Sequence, residues 1–243
     1  MKKDTKFFCF IPARAGSSRV KNKNIRLINK RPLIYWTVLK ALKSKMFDKI
    51  IFSSDSSNYY KILLKYLKKD NLKYPNLVFD KRDLNHSKTK SKIFDYIKYD
   101  LINKFNLKKK DLIVQMMPTC PLRSVNTIKK TIKFSIANNM NCFSVCEYDF
   151  HITFALELKN NKWEAVFNQS PIINGKTQSQ SQKKYYHPTG VINCLFVKSL
   201  NKNSKSIYKN SIPLIIPKSE SFDIDTEEDL ITLKKLFSSK NIN

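Results

Sequence analysis

The sequence of 243 residues predicts a single α/β domain, spanning residues 1–243, with a mostly parallel sheet flanked by helices. Short apolar runs alternate with amphipathic segments along most of the chain, which is typical of strands that alternate with helices. The composition of 42% hydrophobic and 12% aromatic residues is rich enough for a packed core. Residues 151–188 interrupt the alternation, and we expect a small insertion there that serves as a lid or a subunit contact.

The first half of the chain follows this alternation. Residues 6–13 form an apolar run that predicts a strand, and residues 32–45 carry apolar side chains at helical spacing, with Pro32 in the first turn. The same two patterns predict, in order, a strand at 48–55, a helix at 57–69, a strand at 76–79, a helix at about 90–104, a strand at 111–117, a helix at 125–138 and a strand at 141–148.

The second half contains the insertion and the end of the core. Residues 152–167 predict a hairpin that turns at Asn160 and Asn161, because Asn tolerates the left-handed backbone of tight turns. After the insertion come predicted strands at 190–197 and 212–217 and a helix from about Thr226 to Ser238. Thr226 is the expected N-cap of that helix, because three acidic residues follow it in the first turn.

The net charge of +27 raises the question of nucleic-acid binding. Only six of the 46 basic residues are Arg, and the Lys are spread along the whole chain. Base recognition favours Arg, and the aromatic signatures of RNA-binding domains are absent from the sequence. We therefore interpret the charge as a general lysine bias and expect no nucleic-acid partner, while a basic nucleic-acid-binding module stays the alternative from a different class.

The five cysteines are odd in number and lie mostly inside apolar runs, which favours reduced core thiols over a disulfide framework. The three histidines are scattered, so a zinc site is not expected. The sequence shows no secretion signal and no apolar run of about 18 residues, so we expect a cytoplasmic protein without a membrane partner.

A basic loop follows the first predicted strand. Four of the six Arg lie within residues 14–31, and in an open parallel sheet this loop lies at the edge where ligands bind. Gly16 and Ser17 permit close approach of a phosphate, and the charge is supplied by Arg14, Arg19, Lys21 and Lys23. The spacing matches neither a dinucleotide-binding nor a P-loop fingerprint. On spacing alone, a solvated turn is as consistent with this loop as a triphosphate site.

A pair of carboxylates precedes the last helix. Asp223 and Asp225 are two residues apart in a segment expected to be extended, so both side chains point to the same side. Such a pair next to a triphosphate suits Mg²⁺, although helix capping is the alternative. Two other polar residues are assigned structural roles: Asp55 as the cap of the next helix and Arg123 as the partner of a salt bridge that positions its loop.

Three segments carry further information: "IPARAGSSRVKNKNI", "MPTCPLR" and "FDIDTEEDL". They resemble I-P-A-R-G-G-S-K-R-I-P-x-K-N-I, Q-P-T-S-P-L-R and D-I-D-T-x-x-D-L of the CMP-sialic acid synthetases (acylneuraminate cytidylyltransferases), in the family's order from about residue 6 to 236. The resemblance implies a Rossmann-like nucleotidyltransferase domain. It also implies transfer of CMP from CTP to the anomeric hydroxyl of a nine-carbon 2-keto sugar acid, with release of pyrophosphate.

The resemblance assigns roles at the nucleotide end of the site. The implied nucleotide-binding residues are Arg14, Ala15, Gly16, Ser17, Lys23, Asn24, Arg82 and Ser91, of which Arg82 and Ser91 would approach the cytidine. Asp223 and Asp225 would bind Mg²⁺. Arg14, Lys23 and Asp225 would be catalytic through charge neutralisation and positioning.

The acceptor end departs from the family pattern. Met117 replaces the family's Gln, with Gln115 two residues earlier, and His187 replaces an Arg. The family's Arg-Gln pair in the insertion reads Ser179-Gln180. Gln115, Met117 and His187 are the expected sugar-binding residues, and a sialic, legionaminic or pseudaminic acid stays open as acceptor, with Kdo as the alternative. The resemblance also implies a homodimer formed through the insertion.

Overall fold

The computed structural model describes residues 4–83, 92–178, 182–201 and 206–239. Its strands are β1 (Phe7–Pro12), β2 (Leu27–Ile28), β3 (Arg31–Pro32), β4 (Lys49–Ser54), β5 (Leu77–Lys81), β6 (Leu112–Gln115), β7 (Asn141–Glu147), β8 (Leu156–Lys159), β9 (Lys162–Ala165), β10 (Tyr186–Phe196) and β11 (Ser211–Ile215). Its helices are α1 (Leu33–Ser44), α2 (Ser57–Lys69), α3 (Ile93–Tyr96), α4 (Ile102–Lys104), α5 (Val125–Asn138), α6 (Pro171–Asn174) and α7 (Glu227–Ser239). A π-helical turn (Ile97–Leu101) joins α3 to α4.

A seven-stranded sheet forms the centre of the chain, in the order β11-β7-β10-β6-β1-β4-β5. Six strands run in one direction, and β10 is antiparallel to its neighbours β6 and β7. The predicted mostly parallel α/β sheet is confirmed. The carboxyl ends of β1, β4, β5, β6 and β7 therefore share one edge of the sheet with the amino end of β10, and this edge carries the site described below.

Strands in the middle of the sheet are continuous apolar runs in the sequence because both of their faces are buried. Every residue of β1 is buried, because helices cover both faces of the sheet. Cys9 and Ile11 pack into one apolar cluster together with α1, and Phe8 and Phe10 pack into a second cluster on the opposite face with the α3–α4 helix. The five cysteines are buried and free, which confirms the prediction of reduced core thiols.

Most predicted elements agree with the structure within one or two residues. The bounds of α2 and α5 match the prediction, and the helix expected at about 90–104 begins at Ile93, with residues 84–91 outside the described part. Thr226 Oγ1 accepts the Asp229 N–H at 3.2 Å and Asp229 Oδ2 accepts the Thr226 N–H at 2.8 Å, a reciprocal cap that confirms the expected start of α7. In the described ranges, we find no helix that is long and apolar enough to span a membrane.

Two parts of the 151–188 segment have defined structure. β8 and β9 form the predicted hairpin, and Asn160 and Asn161 take positive φ values of 49° and 60° at its turn. Strand β10 begins at Tyr186, four residues earlier than expected, because Tyr186–Pro188 pair with β7 before the register shifts between Pro188 and Asn193. The last residues of the predicted insertion are thus part of the central sheet.

One polar cluster joins three elements on the surface of the domain. Asp70, directly after α2, accepts a hydrogen bond from Arg31 Nε at 2.7 Å, a second from Arg31 Nη2 and a third from the Tyr35 hydroxyl. The Arg31 bonds hold the pKa of Asp70 below its ordinary value of 3.8. The carboxylate therefore stabilises the folded chain only while it is charged.

We expect Asp70→Asn to lower the free energy of unfolding by about 2 kcal/mol at neutral pH, because Arg31 loses its charged acceptor. Since the folded-state pKa lies below the unfolded one, this contribution is complete above the unfolded pKa and is lost as the pH falls through the folded pKa. Urea unfolding at about pH 7 and pH 3 checks this, and the difference from wild type should shrink at the lower pH. Asp4→Asn is the control, because the Asp4 side chain is 79% exposed and 3.5 Å from Lys110. A pH-independent difference at Asp70 would contradict the account.

Candidate active site

The basic loop leaves β1 at the carboxyl edge of the sheet and is pinned at Ala15. The Ala15 N–H donates to Asp55 Oδ1 at 2.8 Å, and the Tyr59 hydroxyl donates to the Ala15 carbonyl at 3.2 Å. The expectation that Asp55 caps α2 is wrong: the N-cap position belongs to Ser56, which makes no side-chain cap bond. The Ala15 N–H therefore already has a hydrogen-bond acceptor within the protein. Gly16 is exposed, and an added Cβ there would have no neighbour within 4 Å.

Asn24 lies behind the loop with an oxygen that lacks a partner. Its Nδ2 donates to the Arg14 carbonyl at 2.9 Å, which fixes the loop's backbone. The residue is only 6% exposed, and its Oδ1 is buried without a hydrogen-bond partner. An unpaired buried acceptor costs about 1–3 kcal/mol. Such a group is expected where a ligand supplies the missing donor.

The loop and the carboxylate segment meet although about 200 residues separate them. Lys23 Nζ donates to the Ile224 carbonyl at 2.5 Å and lies 3.7 Å from Asp225 Oδ1. Arg19 Nη2 donates to the same Asp225 oxygen at 2.8 Å. The Lys23 side chain is 12% exposed and that of Asp225 is 48% exposed. Cations and a carboxylate from the two predicted motifs therefore form one cluster.

Asp223 and Asp225 flank a buried residue that is hydrogen-bonded to the segment around Thr119. Ile224 between them is fully buried, and its N–H donates to the Thr119 carbonyl at 3.0 Å. That both carboxylates point to the same side stays a prediction from their spacing. Within the ranges that the structure describes, no three His, Cys, Asp or Glu side chains gather as metal ligands. A pair of carboxylates suits Mg²⁺, which takes its other ligands from phosphate and water.

Arg82 follows β5 at the same edge and is 5% exposed. Its N–H donates to the Ser54 carbonyl at 2.9 Å, and its guanidinium lies 5.7 Å from the centre of the Tyr96 ring. Its Nε is buried without a partner. Burial lowers the pKa of Arg82, and the charge of Asp55 is the largest effect opposing this fall. Ser91, the other predicted cytidine contact, lies outside the described residues.

Arg123 is completely buried beneath the site and organises the segment around Met117. Its three donors reach the Met117 carbonyl at 2.7 Å, the Val191 carbonyl at 2.8 Å and the Thr37 hydroxyl at 2.9 Å. The predicted positioning role is confirmed. Among the residues that the structure describes, the expected salt bridge is not found, because the hydrogen-bond partners of Arg123 are neutral oxygens.

Gly190 is packed closely against the same segment. A Cβ at this position would lie 3.1 Å from Met117 Cγ and 3.2 Å from Cys120 Sγ. We expect Gly190→Ala to lower the free energy of unfolding by about 1–3 kcal/mol, because the neighbours must shift. Gly16→Ala, whose Cβ meets no atom within 4 Å, is the control and should stay within about 0.5 kcal/mol of wild type. Chemical denaturation measures both, and equal effects would contradict the close packing.

The three predicted sugar-binding residues lie on or next to β6 and β10. Gln115 ends β6, is 4% exposed, and places its Nε2 3.5 Å from Met117 Sδ. His187 lies on β10, with its ring centre 4.9 Å from that of Tyr148 and its Nδ1 3.1 Å from the Pro188 carbonyl. Gln115 and Met117 thus contact each other, whereas the contacts of His187 are with Tyr148 and Pro188. Ser179 and Gln180 lie outside the described residues.

The sequence of the chain is similar to those of known cytidylyltransferases. A cytidylyltransferase family model matches residues 8–147, which is more than half of the chain. A pseudaminic acid cytidylyltransferase of Campylobacter jejuni is 29% identical over 96% of each chain. A CMP-N,N'-diacetyllegionaminic acid synthase of Legionella pneumophila is 26% identical over 93% of this chain and 94% of that one.

A solved structure of similar fold is a CMP:2-keto-3-deoxy-manno-octonic acid synthetase complexed with CTP. It aligns with a TM-score of 0.63 at 13% identity and covers 97% of this chain and 100% of that one. At this identity the likeness shows the fold alone. The family match spans β1 to β7, including the basic loop, Asp55, Arg82 and Arg123. The chain belongs to the cytidylyltransferase family.

Proposed function

We propose that this chain transfers CMP from CTP to the anomeric hydroxyl of a nine-carbon 2-keto sugar acid and releases pyrophosphate. One observation carries the proposal: Lys23 and Arg19 of the basic loop meet the Asp225 carboxylate across the site. Cations that would bind a triphosphate next to a pair of carboxylates suited to Mg²⁺ support this reaction. Family membership and the two relatives named for pseudaminic and legionaminic acid support the same reaction.

The nucleotide half of the site would work by positioning and charge neutralisation. Arg14, Ser17 and Lys23 would hold the triphosphate, since cations lower the cost of the charge that develops on departing pyrophosphate. Asn24 Oδ1 and Arg82 Nε are buried without partners, so nucleotide donors and acceptors would satisfy them. Lys23 and Asn24 are already held by hydrogen bonds to the Ile224 and Arg14 carbonyls, which favours a reactive geometry.

Asp223 and Asp225 would hold Mg²⁺. When bound there, the ion supplies further positive charge to the triphosphate. In the structure Arg19 contacts the Asp225 carboxylate at 2.8 Å. We propose that the Arg19 side chain moves from Asp225 to the phosphates when the metal–nucleotide complex binds.

The acceptor is proposed to be a nonulosonic acid of the pseudaminic, legionaminic or sialic type. The relatives' names support this class, and Gln115, Met117 and His187 stay the proposed sugar contacts. A pyrophosphate-release panel with CTP, Mg²⁺ and pseudaminic, legionaminic, neuraminic and Kdo acids tests the proposal. Release is expected with at least one of the first three acids. Release with Kdo alone would favour the alternative enzyme, and salt-sensitive retention on DNA or RNA without turnover would favour the nucleic-acid-binding module.

We propose a homodimer formed through the insertion. The β8–β9 hairpin is exposed on both strands, and a two-stranded hairpin alone is only marginally stable in water. It presents Leu158 at 54% exposure and Trp163 at 68% exposure. We also place the enzyme in the cytoplasm, where thiols stay reduced.

We expect Trp163→Asp to convert the dimer to a monomer, because a charge would have to be buried in the subunit contact. Light scattering with size-exclusion chromatography measures the mass. Ile231→Asp is the matched control, since Ile231 is 54% exposed and belongs to α7 rather than to the insertion. A monomeric wild-type chain, or dissociation by Ile231→Asp alone, would contradict this interface.

A further inference from the structure

Asp55 contacts the basic loop and precedes Arg82 in the chain, and both are parts of the proposed nucleotide site. It follows β4 at the carboxyl edge of the sheet, between the basic loop and Arg82 in the chain. Its Oδ1 accepts the Ala15 N–H at 2.8 Å, while the Tyr59 hydroxyl, one helical turn further along, donates to the Ala15 carbonyl at 3.2 Å. Ala15 is thus held at both of its polar backbone groups, next to the exposed Gly16.

The same carboxylate acts on the cations around it. Asp55 is the largest of the charges that raise the pKa of the buried Arg82, whereas Arg14 lowers that pKa. The charge of Arg14 thus disfavours the charged form of Arg82, and the charge of Asp55 favours it. Without Asp55, the effects of burial and of Arg14 on the charge of Arg82 would be less opposed.

We propose that Asp55 is a positioning residue for CTP, which fixes the basic loop at Ala15 and favours a charged Arg82 before the nucleotide binds. Asp55 itself need not touch the nucleotide. A site that is ordered in advance loses less conformational freedom on binding, and this raises affinity without new contacts. The inference rests on the proposed function, because it assigns the loop and Arg82 to one nucleotide.

The chain provides a matched control at the other end of β4. Asp48, directly before β4, accepts the Phe7 N–H with its Oδ2, also at 2.8 Å. Each carboxylate thus accepts one backbone N–H. Asp48 accepts it at the start of β1, and Asp55 accepts it in the loop that follows β1. Asp48 lies at the amino edge, away from the basic loop and Arg82. A merely structural carboxylate should behave like Asp48.

The experiment compares Asp55→Ala, Asp55→Asn and Asp48→Ala. CTP binding is measured by calorimetry without any sugar acid, and KM for CTP, KM for the acceptor and kcat are measured with the active acid. Asp55→Ala is expected to weaken CTP binding by about 10- to 100-fold, the range for groups that orient a ligand-binding residue. Asp55→Asn keeps an acceptor oxygen but not the charge, so its loss should be smaller, about threefold. Asp48→Ala should lower the melting temperature and leave CTP affinity within about twofold of wild type.

The outcomes separate the two proposals. Equal CTP affinity in Asp55→Ala and Asp48→Ala would overturn the positioning role while the proposed function stands. An equal rise in KM for CTP and for the acceptor would also overturn it, since a general structural defect would affect both. A wild-type chain that binds no CTP would overturn the proposed function and this inference with it. If Asp55→Ala does not fold, the comparison of Asp55→Asn with Asp48→Asn decides by the same criteria.

Discussion

Asp225→Asn is expected to lower kcat/KM by about 10³-fold while the chain stays folded. Asn has nearly the same shape but lacks the charge that Mg²⁺ binding requires. The change also removes the negative partner of Arg19 at 2.8 Å and of Lys23 at 3.7 Å. Pyrophosphate release with the active acid measures turnover, and circular dichroism reports whether the fold is kept.

Glu228→Gln is the control for Asp225→Asn. Glu228 is an exposed acid in the first turn of α7, three residues after Asp225, so it tests a general loss of negative charge in this segment. Its turnover should stay close to that of wild type. If Asp225→Asn kept wild-type turnover, the carboxylate pair would have no part in the reaction, and the capping interpretation of this segment would replace it.

Lys23→Ala is expected to lower kcat/KM by about 10²-fold, because one cation proposed to bind the triphosphate would be lost. The side chain is only 12% exposed, and its Nζ is held 2.5 Å from the Ile224 carbonyl, so it is fixed in the site rather than solvated. Lys235→Ala on the exposed side of α7 is the control and should have little effect. Equal effects of the two substitutions would identify the basic loop as a solvated turn.

The fold was largely predictable because its strands are buried on both faces. A strand such as β4, with five buried residues in a row, stands out as an apolar run, and α2 shows its amphipathic pattern clearly. The reversed direction of β10 was not predictable, because an apolar run has the same composition in either direction. Its early start at Tyr186 depends on pairing with β7, which lies about 40 residues earlier in the chain.

The candidate site was predictable where a motif lies within one short segment. The basic loop and the Asp223–Asp225 pair are such motifs, and the structure brings them together. Asp55 was misassigned because an acid between a strand and a helix has the sequence pattern of an N-cap, while its actual partner, Ala15, lies 40 residues earlier. Arg123 was predicted as a positioning residue, but its partners are carbonyls and a hydroxyl from separate elements, and neutral backbone acceptors leave no trace in a sequence.

A crystal structure of the chain with CTP and Mn²⁺ in place of Mg²⁺ is the most direct test of one shared nucleotide site. Anomalous scattering locates the Mn²⁺ independently of the protein density. The account predicts a Mn²⁺ peak in contact with Asp225 and with triphosphate oxygens that Lys23 also contacts. A triphosphate bound away from residues 14–24, or a metal that bridges neither Asp223 nor Asp225 to the nucleotide, would contradict it.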